Sequence, residues 1–251
     1  MERTAVRGRL SWLAAEVVEL VDENPTVRGI VLSCPGWSGH LPGQHVDVRL
    51  TAEDGYQAQR SYSIAAPENG EQVTITVELI GDGEVSPYLV GELGVGDVIE
   101  LRGPIGGYFV WTAEMGGPLQ LLAGGSGIVP LMAMIRSQVG ATPAIPTRLL
   151  VSARSYDSMI YRDELAVLTE KMESLAVTYT LTRSQPPGWT GQDRRVDQAM
   201  LAEATWSSDE RPLVYVCGPT GFVETVASIL VGQGHEGARI KTERFGPSGT
   251  P

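Results

Sequence analysis

The stretch LLAGGSGIVPLMAMI, residues 121–135, decides how the second half of the chain folds. Apolar residues at 119–123 predict a buried strand, and the apolar spacing of 128–139 predicts a helix. The glycines between them let backbone approach a phosphate closely, and the helix N-terminus offers free N–H groups. The predicted phosphate-binding turn consists of Gly124, Gly125, Ser126, Gly127 and Pro130. It is not the G-x-G-x-x-G fingerprint, because proline stands where the last glycine would be.

The alternation of strand and helix continues towards the C-terminus. Strands are predicted at 119–123, 148–153, 177–181 and 213–217, and helices at 128–139, 162–171, 197–204 and 221–233. Four such units predict a doubly wound parallel sheet that binds ligands at the carboxyl ends of its strands. A second glycine turn, CGPTG at 217–221, closes the last strand and is expected at the same edge as the first. Taken alone, Cys217 is interpreted as a small buried hydrophobe.

The first half has a different pattern. Short segments at 15–21, 27–33, 45–50, 61–65, 73–80 and 97–103 are separated by turn clusters such as ENPT, PENG and GDG. Several alternate with period two, which predicts antiparallel strands in a small barrel or sandwich. One short helix is predicted at 86–93, and the change of pattern places the domain boundary near residues 111–118.

Composition excludes several classes of protein. The 19 Lys and Arg against 30 Asp and Glu give a net charge of −11, which argues against binding nucleic acid or a membrane surface. The two cysteines are far apart and no His or Cys stands at ligand spacing, so we expect no metal site, and the three histidines are interpreted as structural. The start MERTAVRGRLSW has no apolar run of export-signal length, so we expect a cytoplasmic protein. Glycine, with 30 occurrences in 251 residues, exceeds the usual ~7%.

Six motifs in a fixed order are together more specific than any one of them. They are RSYS (60–63), GDGEVSPYL (81–89), GPIGGYF (103–109), GGSGIVP (124–130), CGPTG (217–221) and ERFG (243–246). With PGQHVDV at 42–48, they resemble the ferredoxin–NADP⁺ reductase superfamily from about Ser11 to Gly246. The resemblance implies two domains: an antiparallel β-barrel flavin-binding domain (1–112), then an α/β doubly wound parallel-sheet domain that binds NAD(P) (113–251). No fused iron–sulfur domain is expected.

The resemblance also assigns the flavin site. By analogy Arg60 contacts the flavin phosphate, Tyr62 packs on the isoalloxazine ring, and Ser63 lies near its N5 atom. Physical chemistry agrees, because arginine clamps phosphate bidentately and tyrosine stacks on flat rings. The implied flavin-binding residues are Arg60, Ser61, Tyr62 and Ser63, then Thr76, Val77 and Glu78, then the turn residues Gly83, Val85 and Ser86.

The nicotinamide side follows from the same resemblance. The turn from Gly124 to Pro130 holds the pyrophosphate, and Cys217, Gly218 and Pro219 flank the nicotinamide. Phe245 resembles the C-terminal aromatic residue that covers the flavin, and Glu243 contributes near N5. The implied catalytic residues are thus Ser63, Cys217, Glu243 and Phe245.

The preference between NADPH and NADH depends on the end of the next strand. A 2′-phosphate needs cations and hydroxyls there, and the sequence offers Ser152, Arg154, Arg162 and Arg183. We therefore favour NADPH. Arg154 and Arg162 are also compatible with ordinary solvated charge on a loop and a helix. FAD is favoured over FMN on family grounds alone, since no residue obviously binds the adenine.

The electron acceptor has three candidate identities. The favoured one is a separate ferredoxin or oxygenase partner, for which Arg194, Arg195, Arg239, Lys241 and Arg244 form a candidate docking surface. Scattered surface charge explains those residues equally well. The alternatives are a reductase of free flavin, ferric complexes or quinones, and a flavin-bearing electron-transfer subunit of a larger complex. The oligomeric state is left open.

Overall fold

The computed structural model describes residues 10–246, which form two sheets of opposite character. Residues 1–9 lie outside the described residues. They belong to the N-terminal segment from which the absence of an export signal was predicted. The strands are β1 (Leu13–Asn24), β2 (Val27–Ser33), β3 (His45–Thr51), β4 (Gln57–Ser63), β5 (Gln72–Glu78), β6 (Val98–Ile105), β7 (Leu119–Gly124), β8 (Thr147–Ser155), β9 (Leu175–Ser184), β10 (Leu213–Pro219) and β11 (Ile240–Phe245). The helices are α1 (Ser86–Gly91), α2 (Ile128–Arg136), α3 (Arg162–Lys171), α4 (Gln198–Ala204) and α5 (Thr220–Gly232).

The first sheet is an antiparallel barrel. Its strand order is β4-β3-β6-β1-β2-β5, and the two end strands approach each other at an antiparallel bridge between Ile64 and Ile75. The inward side chains are aliphatic, and Leu89 of α1 is buried in the same core. The period-two pattern of the sequence therefore predicted the first domain correctly.

The second sheet is parallel throughout, in the order β11-β10-β7-β8-β9. Helices α2 and α3 cover one face, where Ile128 and Leu165 are buried. Helices α4 and α5 cover the other, where Met200 and Val223 are buried. This is the predicted doubly wound arrangement. No helix within residues 10–246 is long and apolar enough to cross a bilayer; the longest, α5, has 13 residues.

The structure corrects the predicted elements in two ways. Strand β11, which pairs in parallel with β10, was not predicted from the sequence. It was missed because its alternating pattern is short and mostly polar. Strands β8 and β9 extend two and three residues past their predicted ends, and Arg154 and Arg183 lie one residue before the ends of these strands. The predicted boundary at residue 112 falls between β6 and β7 and stays a prediction.

Buried polar contacts join the two domains. Arg136 of α2 donates to the carbonyl oxygen of Ala65 at 2.6 Å and pairs with Glu164 at 2.5 Å. The Tyr161 hydroxyl, just before α3, donates to the Thr76 hydroxyl of β5 at 2.5 Å. Tyr161 is 2% exposed and adopts a left-handed φ of 58°. These contacts fix how β5 faces the second sheet.

Candidate functional site

Strands β4 and β5 meet at the Ile64–Ile75 bridge and diverge beyond it. We call the gap between the two diverging strands the fork. Each is an end strand, bonded along its length to one neighbour only, β4 to β3 and β5 to β2. Residues 60–63 and 76–78 therefore direct backbone donors and acceptors into the fork without a strand partner. Those are the segments that the sequence analysis assigns to the flavin.

The side chains of β4 divide as the alternation predicts. Arg60 and Tyr62 share one face, and Tyr62 is half-buried against the barrel core. Burial raises the pKa of Tyr62 to about 12, so its ring is neutral at physiological pH. On the opposite face the Ser61 hydroxyl donates to Asp47 at 2.6 Å, which ties β4 to β3. The Ser61 side chain is therefore engaged with protein, and only its backbone remains for a cofactor.

Arg60 meets the turn that precedes α1. Its guanidinium pairs with the Glu84 carboxylate at 2.9 Å, and the Tyr56 hydroxyl donates to the same carboxylate at 2.7 Å. Arg60 and Glu84 are both about half exposed, with side-chain values of 53% and 49%. A phosphate approaching this face therefore meets a guanidinium held in position at the surface, but it competes with the Glu84 carboxylate for it.

The turn from Gly83 to Ser86 is held together by its own contacts. The Ser86 hydroxyl accepts from the Ile80 backbone N–H at 3.0 Å and is buried. A Cβ on Gly83 would lie 3.0 Å from the Ile80 carbonyl oxygen. Val85 is 1% exposed and immediately precedes α1. The hydroxyl of Ser86, one of the implied flavin-binding residues, thus stabilises the turn itself.

The two glycine turns of the second domain pack against each other. A Cβ on Gly127 would lie 2.1 Å from the Cys217 carbonyl oxygen, and one on Gly218 would lie 2.9 Å from the carbonyl oxygen of Gly124. Gly125 differs, because its φ is +56° and nothing lies within 4 Å of the Cβ position. Contact between the turns therefore requires three of these glycines, while Gly125 and Ser126 remain partly or fully exposed for a ligand.

Four polar side chains converge where the fork meets the carboxyl ends of β10 and β11. Ser63 and His45 are cross-strand partners in the barrel, and Cys217 and Glu243 are partners in the parallel sheet. His45 Nδ1 lies 3.9 Å from Glu243 Oε1, which joins the two pairs across the domain boundary. The Ser63 Oγ and Glu243 Oε2 atoms are buried without a hydrogen-bond partner. Buried polar atoms without partners are rare, and each calls for an explanation such as a bound water, an ion, a ligand or a catalytic role. Asn24 Nδ2 and Trp206 Nε1 are two others among residues 10–246, but only Ser63 and Glu243 belong to the predicted site.

Burial sets the protonation of this group. It raises the pKa of Glu243 to about 7. It also raises the pKa of the Cys217 thiol well above its usual value, with the Glu243 charge adding to the effect. Burial lowers the pKa of His45, partly opposed by Asp47. At neutral pH the thiol and imidazole are therefore uncharged, and the carboxyl group is poised to exchange a proton.

The remaining predicted residues lie at the rim of the same edge. Phe245 ends β11 opposite Pro219 and is half-buried against the core of the second domain. Pro130 is buried in the first turn of α2. These positions place an aromatic ring beside the carboxyl end of β10.

Three of the residues predicted to bind a 2′-phosphate lie near the carboxyl ends of β8 and β9, and the fourth, Arg162, begins α3. Arg162 stacks over the Tyr156 ring at 4.4 Å and pairs with Asp163 at 2.9 Å. Arg154 and Arg183 are exposed and form no ion pair with any residue between 10 and 246. Ser152, two residues before Arg154, is half-buried in β8.

The candidate docking surface does not form one free cationic patch. Arg194 pairs with Asp197 at 2.7 Å, and Arg244 pairs with Glu224 at 2.6 Å. The Lys241 ammonium donates to the Val110 carbonyl oxygen at 3.2 Å. Such paired charges attract an acidic partner weakly. Two of the five predicted docking cations are thus neutralised by ion pairs, which weakens the charge argument for a ferredoxin partner. Arg195 is exposed and forms no ion pair with any residue between 10 and 246.

Sequence reasoning missed His45 and Tyr161, which this geometry brings to the site. His45 was interpreted as structural because nothing in its spacing indicates Glu243, which is distant in sequence. Tyr161 precedes a helix and resembles any core aromatic. Only the docking of the two domains reveals either role.

Family models match both halves of the chain. Residues 26–110 match an oxidoreductase FAD-binding domain, and residues 121–228 match an oxidoreductase NAD-binding domain. The fork and the glycine edge thus lie in domains that define a FAD- and NAD-binding oxidoreductase. The chain belongs to the ferredoxin–NADP⁺ reductase superfamily.

Similar proteins include several with oxygenase or globin names. A flavohemoprotein of Pseudomonas putida is 31% identical over 210 residues, 82% of this chain and 51% of that protein. A glycine betaine monooxygenase reductase subunit of Chromohalobacter salexigens is 30% identical over 210 residues, 82% of this chain and 56% of that protein. The chain spans about half the length of the curated relatives it matches.

Among solved structures, the FAD/NAD-binding domain of nitric oxide dioxygenase from Vibrio cholerae superposes with a TM-score of 0.82. It is 26% identical, and the match covers 94% of this chain and 99% of that one. A ferredoxin NADP⁺ reductase from Neisseria gonorrhoeae superposes with a TM-score of 0.78 at 20% identity, covering 93% and 98% of the two chains. At that identity the second likeness shows the fold alone.

Proposed function

We propose that this chain passes a hydride from NAD(P)H to FAD and the electrons onward to a separate ferredoxin or oxygenase partner. The observation that carries the proposal is the pair of buried, unpartnered atoms, Ser63 Oγ and Glu243 Oε2. They come from different domains and face the junction between the flavin fork and the glycine edge. When bound, the flavin supplies a ring that takes a hydride at N5 and releases electrons singly or in pairs.

The protein's own residues hold, orient and shield the reactants. The open backbone of the fork and the Tyr62 ring hold the flat ring system, and Arg60 holds its phosphate. Ser63 offers a hydroxyl at the reacting edge. Cys217, a neutral and buried thiol near the end of β10, would line the nicotinamide side of the site and help to exclude water. Glu243 holds or releases a proton near neutral pH because burial has moved its pKa to about 7.

We propose NADPH as the preferred donor. Its support is that Arg154 and Arg183 are exposed, without ion-pair partners among residues 10–246, at the strand ends where a 2′-phosphate would lie. Arg154→Gln and Arg183→Gln should each raise the KM for NADPH and leave the KM for NADH unchanged. Arg195→Gln, which changes another exposed arginine, is the matched control. Equal effects on both cofactors would contradict the preference.

The partner class rests on the relatives' names. They include a methane monooxygenase component C and a toluate 1,2-dioxygenase electron transfer component, besides the monooxygenase reductase subunit. We also propose a cytoplasmic location, which is consistent with the free cysteines Cys34 and Cys217.

The test begins with the visible spectrum of the purified protein. Bleaching of the flavin is followed under argon with NADPH and with NADH in separate experiments. Electron transfer is then measured to a plant-type ferredoxin and, for comparison, to free flavin and ferricyanide. A colourless protein that does not bind added FAD, or a flavin that neither nucleotide reduces, would refute the hydride transfer. If the protein reduces free flavin but does not transfer electrons to the ferredoxin, the proposal of a protein partner is refuted.

A further inference from the structure

The negative charge of the chain is concentrated in the barrel domain. Residues 10–112 contain four arginines and no lysine against 15 aspartates and glutamates, which gives a net charge of −11. Residues 113–246 contain 12 lysines and arginines against 14 aspartates and glutamates, which gives a net charge of −2. The domain that contains the flavin fork is therefore strongly anionic, whereas the nucleotide domain is close to neutral.

The cations of the barrel are all engaged in ion pairs. These pairs, with N–O distances between 2.6 and 2.9 Å, are Arg28–Asp22, Arg49–Glu100, Arg60–Glu84 and Arg102–Asp47. The other eleven carboxylates of the barrel pair with no cation between residues 10 and 246, and all of them except Glu23 are exposed. A molecule that approaches the barrel therefore meets uncompensated negative charge, which acts over several ångströms.

Two neighbouring loops interrupt this charge. Residues 34–44, between β2 and β3, and residues 106–113, directly after β6, contain no Asp, Glu, Lys or Arg. The loops contact each other, since the Gln44 side-chain amide donates to the Gly106 carbonyl oxygen at 2.7 Å. We call the exposed surface of these two loops the uncharged face.

The uncharged face adjoins the four polar side chains that converge at the domain junction. A Cβ on Gly106 would lie 3.6 Å from His45 Nδ1, and His45 is the cross-strand partner of Ser63. On the same face Leu41 is 44% exposed and Tyr108 is 62% exposed. The centres of protein–protein interfaces are depleted of charge and enriched in aromatic residues, and their rims are polar. The uncharged face has the composition of such a centre, beside the group at which the proposed reaction takes place.

Acidic side chains border the uncharged face. The Gly36 N–H donates to Glu71 Oε1 at 2.8 Å, and a Cβ on Gly39 would lie 3.4 Å from Glu68 Cγ. Both glutamates are exposed, and neither forms an ion pair within the described part of the chain. Lys241 reaches the second loop, but its ammonium is held by a backbone carbonyl oxygen there at 3.2 Å. The rim that a partner meets on the barrel side is therefore anionic.

We propose that the electron acceptor is a protein that docks on the uncharged face through a cationic surface of its own, an inference that rests on the proposed function and deepens it. Complementary charge steers association and fixes orientation, whereas like charges across an interface are repelled. A basic acceptor is attracted to the barrel, and an acidic one must overcome its field. For each NAD(P)H oxidised, two molecules of a one-electron acceptor are reduced and one proton is released.

The experiment uses two acceptors that differ in charge and share one redox centre. They are mammalian cytochrome c, which is basic, and the same protein with its lysines succinylated, which is acidic. Haem reduction by the full chain, loaded with FAD and supplied with NAD(P)H, is followed under argon at ionic strengths from about 0.01 M to about 0.3 M. We expect native cytochrome c to be reduced about tenfold faster than the succinylated form at the lowest salt. Its rate should fall as salt is added, while the rates for succinylated cytochrome c and for an acidic plant-type ferredoxin should rise.

Two variants locate the surface. The double variant Glu68→Gln with Glu71→Gln keeps an amide oxygen to accept from Gly36, and it should slow the reduction of native cytochrome c about threefold at low salt only. Glu170→Gln with Glu173→Gln removes as many charges from exposed positions of the second domain and is the matched control, with rates close to those of the wild type. Leu41→Lys should slow native cytochrome c and leave the bleaching of the flavin by NAD(P)H unchanged.

The outcomes separate this inference from the proposed function. Equal rates for the two forms of cytochrome c at low salt, or equal effects of the two double variants, would overturn the cationic partner and leave the proposed function standing. If NAD(P)H bleaches the flavin but neither form of cytochrome c nor the ferredoxin is reduced, the protein partner itself is refuted. If the flavin is not bleached, the proposed hydride transfer fails together with this inference.

Discussion

The carboxyl group of Glu243 should make the stability of the protein depend on pH. In the folded, flavin-free chain its pKa is about 7, against a usual 4.5, because it is buried. Between these two pH values the folded state retains a proton that the unfolded state has lost, so stability falls as pH rises. The difference between the pKa values corresponds to about 3 kcal/mol, fully lost above pH 7.

Glu243→Gln removes the titration and keeps the shape of the side chain. We expect the variant to gain stability relative to the wild type as pH rises from about 5 to about 8, up to the same ~3 kcal/mol. Urea unfolding at intervals of pH measures this difference in the flavin-free protein. Glu173→Gln, at an exposed position on the second domain, is the control and should show no such trend. A wild-type-minus-variant difference that stays constant with pH would refute the reasoning.

Three further predictions test the contacts around the site. Gly127→Ala should cost about 3 kcal/mol of unfolding free energy, since its Cβ would lie 2.1 Å from the Cys217 carbonyl oxygen; an unchanged melting temperature would count against that contact. Cys217→Ala should retain flavin but slow its bleaching by NADPH about tenfold in stopped-flow measurements, and equal rates would remove the thiol from the site. Tyr161→Phe should lose about 1 kcal/mol in urea unfolding, because the hydroxyl no longer donates to Thr76.

The architecture was predictable because its signals are local. The run at 119–136 contains a strand, a glycine turn and a helix in direct succession, and the repetition of strand and helix in four units indicates a parallel sheet. The alternation of β3 and the turn clusters around it indicated the antiparallel half equally well. Strand β11 was not predicted because Ile240 is the only buried residue among its six. A strand that depends on its neighbour for pairing leaves little trace in its own sequence.

The glycines show the limit of reasoning from motifs. The large number of glycines suggested turns in which the backbone approaches a phosphate. The structure shows a second reason for glycine at some of these positions. Gly124 and Gly127 are required because the turn after β7 packs directly against the turn after β10. That contact depends on β7 and β10 being neighbours, which the sequence does not state. Gly125, with its positive φ and open surroundings, has no such packing contact, and its role in binding phosphate stays a prediction.

The chemistry itself depends on the docking of two domains. Ser63 and His45 belong to the barrel, while Cys217 and Glu243 belong to the parallel sheet. Neither domain alone contains all four residues. The sequence therefore indicates which residue types are present, but not that residues of the two domains lie within a few ångströms of each other. The buried contacts of Arg136 and Tyr161 across the boundary provide that approach. A loss of either contact should therefore reduce the rate of hydride transfer more than the affinity for flavin, because the flavin fork lies within one domain.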